Sequence, residues 1–326
     1  MTQAHLHGKT LLDATQLARL RQRSNLVGAL LVAHAWAVIA GAMALFAWWP
    51  NPLSFVIAVA VIGGRQLGLA ILMHDASHRA LFAHPGVNDW AGRYLCGAPV
   101  GADMRLYRPY HLNHHRHTQT EQDPDLELSA PFPISRASLW RKLRRDALGV
   151  TGVQRRRAQF RATMGTGKWS ERLARLWRAE RPFFVSNGAL WLGLALAGHG
   201  WLYPLLWLVP LLTWYQLASR VRNIAEHAVV GPADDPLRNT RTTRANWLER
   251  TLWAPYWVNY HLEHHLFIFA PCWKLAQAHR WLGERGLWPD MELAGGYREV
   301  LARAASKVSD DRDASGGRKS ARVQAL

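Results

Sequence analysis

Residues 53 to 78 read LSFVIAVAVIGGRQLGLAILMHDASH, an apolar run with Arg65 and Gln66 inside it that ends in His74 and His78. At about 1.5 Å per residue, a helix of this length crosses a hydrocarbon core of about 30 Å. It would then hold both imidazoles rigidly just beyond the bilayer. An arginine within such a run is costly in lipid, so Arg65 is expected to face protein or a polar cavity.

Working outward, Asn25 to Trp49 carries no charged side chain and a single histidine, and it pairs with the first run across Pro50 to Pro52. A second pair, Phe183 to Ala197 and Leu202 to Ala218, follows a long polar interval and reaches spanning length only with the residues up to the bends at Gly200 and Pro204. The pattern predicts an all-α integral membrane protein: four transmembrane helices in two hairpins, at 25–49, 53–73, 183–199 and 202–219. Four buried helices of a soluble core are the alternative, but uncharged runs of this length are rare in soluble cores. The mean hydropathy of −0.15 averages the apolar blocks with very basic stretches.

Histidines recur at helical spacing: His74 and His78, then His111, His114 and His115, then His261, His264 and His265, with His227 alone. Residues at i, i+3 and i+4 share one helix face, so each cluster can aim its imidazoles one way and the three can converge on one centre. Eight or nine imidazoles exceed what a four-coordinate zinc uses, which favours two ions. A nitrogen-rich ligand set is compatible with iron among other transition metals.

The formal charge of +17 would suggest nucleic acid if it formed a patch interleaved with aromatic residues. Instead it flanks the apolar blocks. Arg19, Arg21 and Arg23 precede the first, and twelve further Lys and Arg residues lie between Arg136 and Arg181. The links at Pro50 to Pro52 and His199 to Trp201 carry none, so the positive-inside rule puts both termini and every histidine cluster in the cytoplasm. No nucleic acid partner is expected. Two cysteines, Cys96 and Cys272, give no disulfide framework, and no cleavable signal peptide is expected.

Residues 1 to 24 read as a polar lead-in in which Thr10 to Asp13 could start a short amphipathic helix along the membrane surface. The second cluster is expected to open a helix just after Pro109 and Tyr110, and Asp123-Pro124-Asp125 to mark a turn. Leu139, Trp140, Leu143 and Leu148, and later Leu173, Leu176 and Trp177, predict basic amphipathic helices on the membrane surface. From Ser306 the sequence is polar and basic. The domain is therefore read as 1–305, with a disordered tail at 306–326.

These residues together resemble the membrane-bound fatty acid desaturase superfamily, non-haem di-iron oxidases defined by three histidine boxes. The likeness rests on His-x-x-x-His at 74 to 78 and His-x-x-His-His at 111 to 115 and at 261 to 265, in this order around two hairpins. It implies a cytoplasmic helical cap carrying a di-iron centre, with the eight box histidines as ligands. The family also places a histidine after the fourth helix, sometimes with an asparagine four residues before it, which implies His227 as a ligand and Asn223 as an outer partner. Asp75 and Glu263 could orient a ligand imidazole or be solvated; His117 could support the second box or lie at the surface. His84-Pro85-Gly86 reads as a loop, and His34 and His199 as hydrogen-bonded or interfacial histidines.

The resemblance implies O2-dependent desaturation of a fatty acyl chain, lipid-linked or thioester, with two electrons from an external carrier such as ferredoxin or a cytochrome b5 type protein. Hydroxylation, epoxidation or ketolation of a lipid or carotenoid is the alternative on the same scaffold. A zinc-dependent membrane hydrolase is more remote. No Glu-x-x-His occurs in the chain, so the carboxylate-rich site of soluble desaturases is not expected.

Overall fold

The computed structural model describes residues 10–307. It is mostly helical, and its β structure is a parallel pairing of two dipeptides, Thr242–Thr243 with Leu293–Ala294, and an isolated bridge from Thr242 to Tyr260. A first helix, α1 (Ala14–Arg21), is capped by Asp13, whose side chain accepts the Gln16 N–H. Its apolar residue Leu20 is fully buried with Leu266, Phe267, Leu275 and Leu282. The lead-in helix thus packs its buried leucine into a protein cluster with the C-terminal elements, where it finds apolar partners.

The hairpin of α2 (Asn25–Trp48) and α3 (Pro52–Ser77) forms as its sequence dictates. Asn51 ends the turn: its side chain accepts the N–H groups of Leu53 and Ser54, and Pro52 occupies the first helical position, where no N–H is needed. Helix α3 continues past Met73 as expected, carrying His74 in its last turn with His78 as its cap. Helix α2 buries Val32, Ala35, Ile39, Met43 and Phe46 and presents Leu26, Leu30, Leu45 and Trp48 outward. Helix α3 shows Leu53, Val56 and Ile57 outward near its start and is enclosed by protein from Ile62 to Ser77. Both helices are long and apolar enough to cross a membrane.

Between the hairpins come α4 (Pro85–Ala91), α5 (Met104–His117), α6 (Arg136–Ala147) and α7 (Val150–Met164). Helix α5 starts earlier than expected. Asp103 caps it through the Arg105 N–H, and Pro109 lies inside, where one ladder bond is lost.

The second hairpin departs further from expectation. Helix α8 runs from Trp169 to Leu196, so the basic segment before Phe183 and the apolar segment after it are one helix, with Pro182 inside. Pro182 at the junction costs one ladder bond without ending the helix, and Glu171, Arg172, Ala174 and Leu176 before it are good helix formers. The segment read as a regular span at 202–219 is instead broken: a π turn at Pro204–Leu208, a short helix at Val209–Leu212, and then α9 (Trp214–His227). Pro204 and Pro210 lack the N–H groups a continuous ladder requires.

Helix α9 lies against α3 at Gly63, where a β-carbon would sit 2.6 Å from that of Trp214. Trp207 is fully buried and stacks on Trp36 at 5.6 Å, joining the two hairpins. A cavity of about 420 Å³ opens between α2 and α8, beside Trp48 and His199, at the end of α2 away from the box histidines. The chain closes with α10 (Trp247–Leu252), α11 (His261–Leu266), α12 (Leu275–Glu284) and α13 (Tyr297–Ala304).

Candidate metal centre

Four elements deliver the nine histidines. The end of α3 supplies His74 and His78; α5 supplies His111, His114 and His115; the last residue of α9 is His227; and α11 supplies His261, His264 and His265. They meet as two groups: His74, His78, His111, His115 and His264 in one, and His114, His227, His261 and His265 in the other, with the nitrogens of each group within 4.8 Å of one another. The helical repeat explains the division. In each His-x-x-His-His motif the i and i+4 residues lie on one line of the helix, and the residue between them is rotated aside. So α5 gives His111 and His115 to the first group and His114 to the second, while α11 gives His261 and His265 to the second and His264 to the first.

The Nε2 atoms face inward. Those of His111 and His115 are 2.9 Å apart, those of His115 and His264 3.0 Å, those of His227 and His261 2.8 Å, and those of His261 and His265 3.1 Å. The Nε2 atoms of His74, His78 and His114 are buried with no hydrogen-bond partner. Direct N–H···N bonding does not account for this pattern, because an Nε2 either donates or accepts and those of His115 and His261 each face two others. Two nitrogens bound at right angles about 2.1 Å from one ion sit about 3.0 Å apart. The donor set therefore fits a cation in each group.

Burial pushes the imidazoles of His111, His115, His227, His261, His264 and His265 well below the usual histidine range, and neighbouring rings push further the same way. Burial and the Arg108 guanidinium hold His78 down at about 3. Neutral rings keep a lone pair free for a metal.

Around the rings lie polar groups that set their orientation. His114 donates through Nδ1 to Asp123 at 2.7 Å, and Asp123 is itself fixed by the N–H groups of Gln119 and Asp125. Thr118 donates its hydroxyl to the His114 carbonyl and lies 3.3 Å from His265 Nδ1. Glu226 sits 3.5 Å from His261 Nδ1 and accepts from Arg222 at 2.6 Å. The Tyr107 ring stacks on His111 at 5.0 Å.

Arg241, fully buried, donates to the carbonyls of Ala225, Ala228 and Val229 and pairs with Glu292. It thereby satisfies the end of α9 around His227.

Asp75 accepts the Cys272 N–H at 3.2 Å. Glu263 accepts from Thr242 and His279, tying α11 to the strand pair and to α12. Asn223 is half-buried one turn before His227, and His117 is half-buried at the end of α5, outside both groups. His34 bonds the Tyr256 hydroxyl at 3.0 Å, His84 caps α4, and Arg65 faces protein, donating to the carbonyls of Arg250 and Thr251.

The partners missed from sequence are Asp123, Thr118, Glu226 and Arg241. Asp123 carried a faint signal as part of Asp-Pro-Asp nine residues after His114, and Glu226 as the neighbour of His227.

Residues 47–294 match the fatty acid desaturase family. Among curated proteins, the chain is 28% identical over 286 residues to a dihydrorhizobitoxine desaturase of Bradyrhizobium elkanii, covering 81% of this chain and 77% of the relative. It is 27% identical to a beta-carotene ketolase of Paracoccus sp. (strain PC1), covering 71% and 81%. A beta-carotene 4-ketolase of Protosiphon botryoides is 24% identical, covering 71% of this chain and about half (52%) of that relative.

Proposed function

The chain belongs to the fatty acid desaturase family and is an oxidoreductase; we propose that it desaturates a fatty acyl chain, lipid-linked or thioester, at a di-iron centre held by His74, His78, His111, His114, His115, His227, His261, His264 and His265. The observation that carries this reading is the division of nine imidazoles, all buried but the half-buried His78, into two inward-facing groups. Residues 1–305 act as one membrane domain. The hairpin of α2 and α3 crosses the bilayer together with a second hairpin made of the apolar half of α8 and the broken segment before α9. The histidines and the basic helices then sit on the cytoplasmic side, as the placement of Lys and Arg supports.

A pair of irons bound there would supply the oxidising power to remove two hydrogens from an unactivated carbon chain, using O2 and two electrons from an external carrier. The protein's share is positioning and exclusion. Asp123 and Thr118 lock the tautomers of His114 and His265 so that Nε2 points inward. Asp123 accepts from the His114 ring, and Glu226, held by Arg222, lies beside the His261 ring. Burial of every cluster residue but the half-buried His78 keeps bulk water from competing with an apolar substrate.

Ketolation of a carotenoid is the second reading, favoured by the two ketolase relatives that match across 71% of this chain. Both reactions start by removing hydrogen from carbon and diverge afterwards.

The test is elemental analysis of the purified protein from iron-supplemented cells, with His114→Ala and His264→Ala beside the parent. About two irons per chain in the parent, with turnover and the iron of the mutated group lost in each variant while the protein still inserts, is the expected result. Zinc with negligible iron, or retained turnover in either variant, would defeat the assignment. Lipid and carotenoid profiling of the producing cells then separates an alkene product from a ketone.

A further inference from the structure

We propose that α6, α7 and the first half of α8 form a platform that binds anionic phospholipid headgroups at the cytoplasmic membrane surface; this rests on the membrane-spanning reading above. Residues 136 to 181 hold fourteen cations against three carboxylates. Two of those carboxylates are spent internally: Asp146 is buried against Arg220, and Glu180 is buried and accepts from Gln159. Arg144, Arg157, Arg161, Arg178 and Arg181 are exposed, and among the described residues none of them is in an ion pair.

The occupant is identified by what lies beside these cations. Trp140, Leu148, Trp169 and Trp177 are 66%, 69%, 62% and 53% exposed, an arrangement expensive in water and favourable at a headgroup boundary. Helix α8 supplies the direction. Leu173, Trp177, Val185, Leu192 and Leu196 are all exposed and follow one another at spacings of four or seven or eight residues, so they form one stripe along the helix. The lower part of that stripe faces lipid. From Phe183, where the charged residues end, to Leu196 is about 20 Å along the axis, some two thirds of a hydrocarbon core of about 30 Å. Arg181, Arg178 and Trp177 then lie at the cytoplasmic boundary, and Leu173, Trp169 and the arginines around them at headgroup depth.

Helix α7 packs beside this part of α8, with Arg156 over the Phe183 ring at 4.7 Å and Phe160 against Phe184 at 5.9 Å. Its outward residues Val150, Val153, Gln154, Arg157 and Arg161 repeat at three and four, mixing valine with arginine on a single face. An acidic carrier protein would complement the charge but leave the tryptophans and leucines in water.

The test places the full chain in nanodiscs of equal phosphatidylcholine and phosphatidylglycerol and counts retained lipids by native mass spectrometry. Arg144→Gln, Arg157→Gln, Arg161→Gln and Arg178→Gln are combined in one variant, and Arg280→Gln with Arg298→Gln, exposed on α12 and α13, serve as the control. Phosphatidylglycerol is expected to be preferred at least about fivefold, the effect of one cation at an anionic surface. That preference should fall in the fourfold variant and at high salt, and persist in the control. Equal retention of the two lipids, or a preference that survives the fourfold variant, would overturn the proposal. So would a fourfold variant that loses binding of an acidic ferredoxin while keeping its lipid preference. Failure of the parent to enter the disc would instead strike the membrane-spanning reading, and the platform with it.

Discussion

The five-histidine and four-histidine groups share the same two His-x-x-His-His helices, yet the polar partners on ring Nδ1 atoms within these clusters all belong to the smaller group: Asp123 on His114, Thr118 on His265 and Glu226 near His261. Among the described residues, His115 Nδ1 in the larger group and His227 Nδ1 in the smaller are buried without a partner. A carboxylate on Nδ1–H makes the opposite nitrogen more basic and fixes its direction. The group with fewer imidazoles is thus the one with more help per imidazole, and the two centres are expected to differ in affinity and in ease of reduction.

The largest effect is expected from removing one ligand on each side. His111→Ala and His261→Ala should each cut turnover by more than the roughly 100-fold that an outer partner commands, with one iron lost from the mutated group in elemental analysis. Loss of both irons in both variants would erase the distinction between the groups. Arg241→Ala comes next. It strips the end of α9 of its buried guanidinium and leaves Glu292 half-paired, so about 3 kcal/mol of stability should go, read as a lower thermal midpoint, with iron retention weakened first on the His227 side. An unchanged midpoint would mean that α9 holds its end without the clamp.

Asp123→Asn keeps the shape but loses the charge. It is expected to lower affinity for one iron roughly 10- to 100-fold and to spare the other, measured by chelator competition in two phases. A uniform decrease would show that the carboxylate serves both groups. The smallest change is Thr118→Val, worth about 1 kcal/mol for the hydroxyl bonds it removes. A spectroscopic shift in the bound metal without loss of occupancy would sharpen the comparison, whereas no shift would remove Thr118 from it.

What could be read from sequence followed from local periodicity. The uncharged runs gave α2 and α3 nearly to the residue, with His74 and His78 at the end of α3, and the i, i+3, i+4 spacing gave the box histidines. What could not be read depended on competition between local signals or on contacts distant in sequence. Asp103 outbids Pro109 as a helix start, and the prolines at 204 and 210 break a segment whose hydropathy alone suggests one span. The partners of the rings come from turns: Gln119 adopts a φ of 62°, bringing Asp123 back onto His114. Arg241 reaches α9 across thirteen to sixteen residues of irregular chain.

The interleaving of the two boxes also orders events in time. The larger group begins with His74 and waits for His264, and the smaller begins with His114 and waits for His265. Neither is complete until most of the polypeptide has left the ribosome. A chain interrupted before α11 would keep four nitrogens of one set and two of the other, so neither set could take up a metal in full before α11 is made.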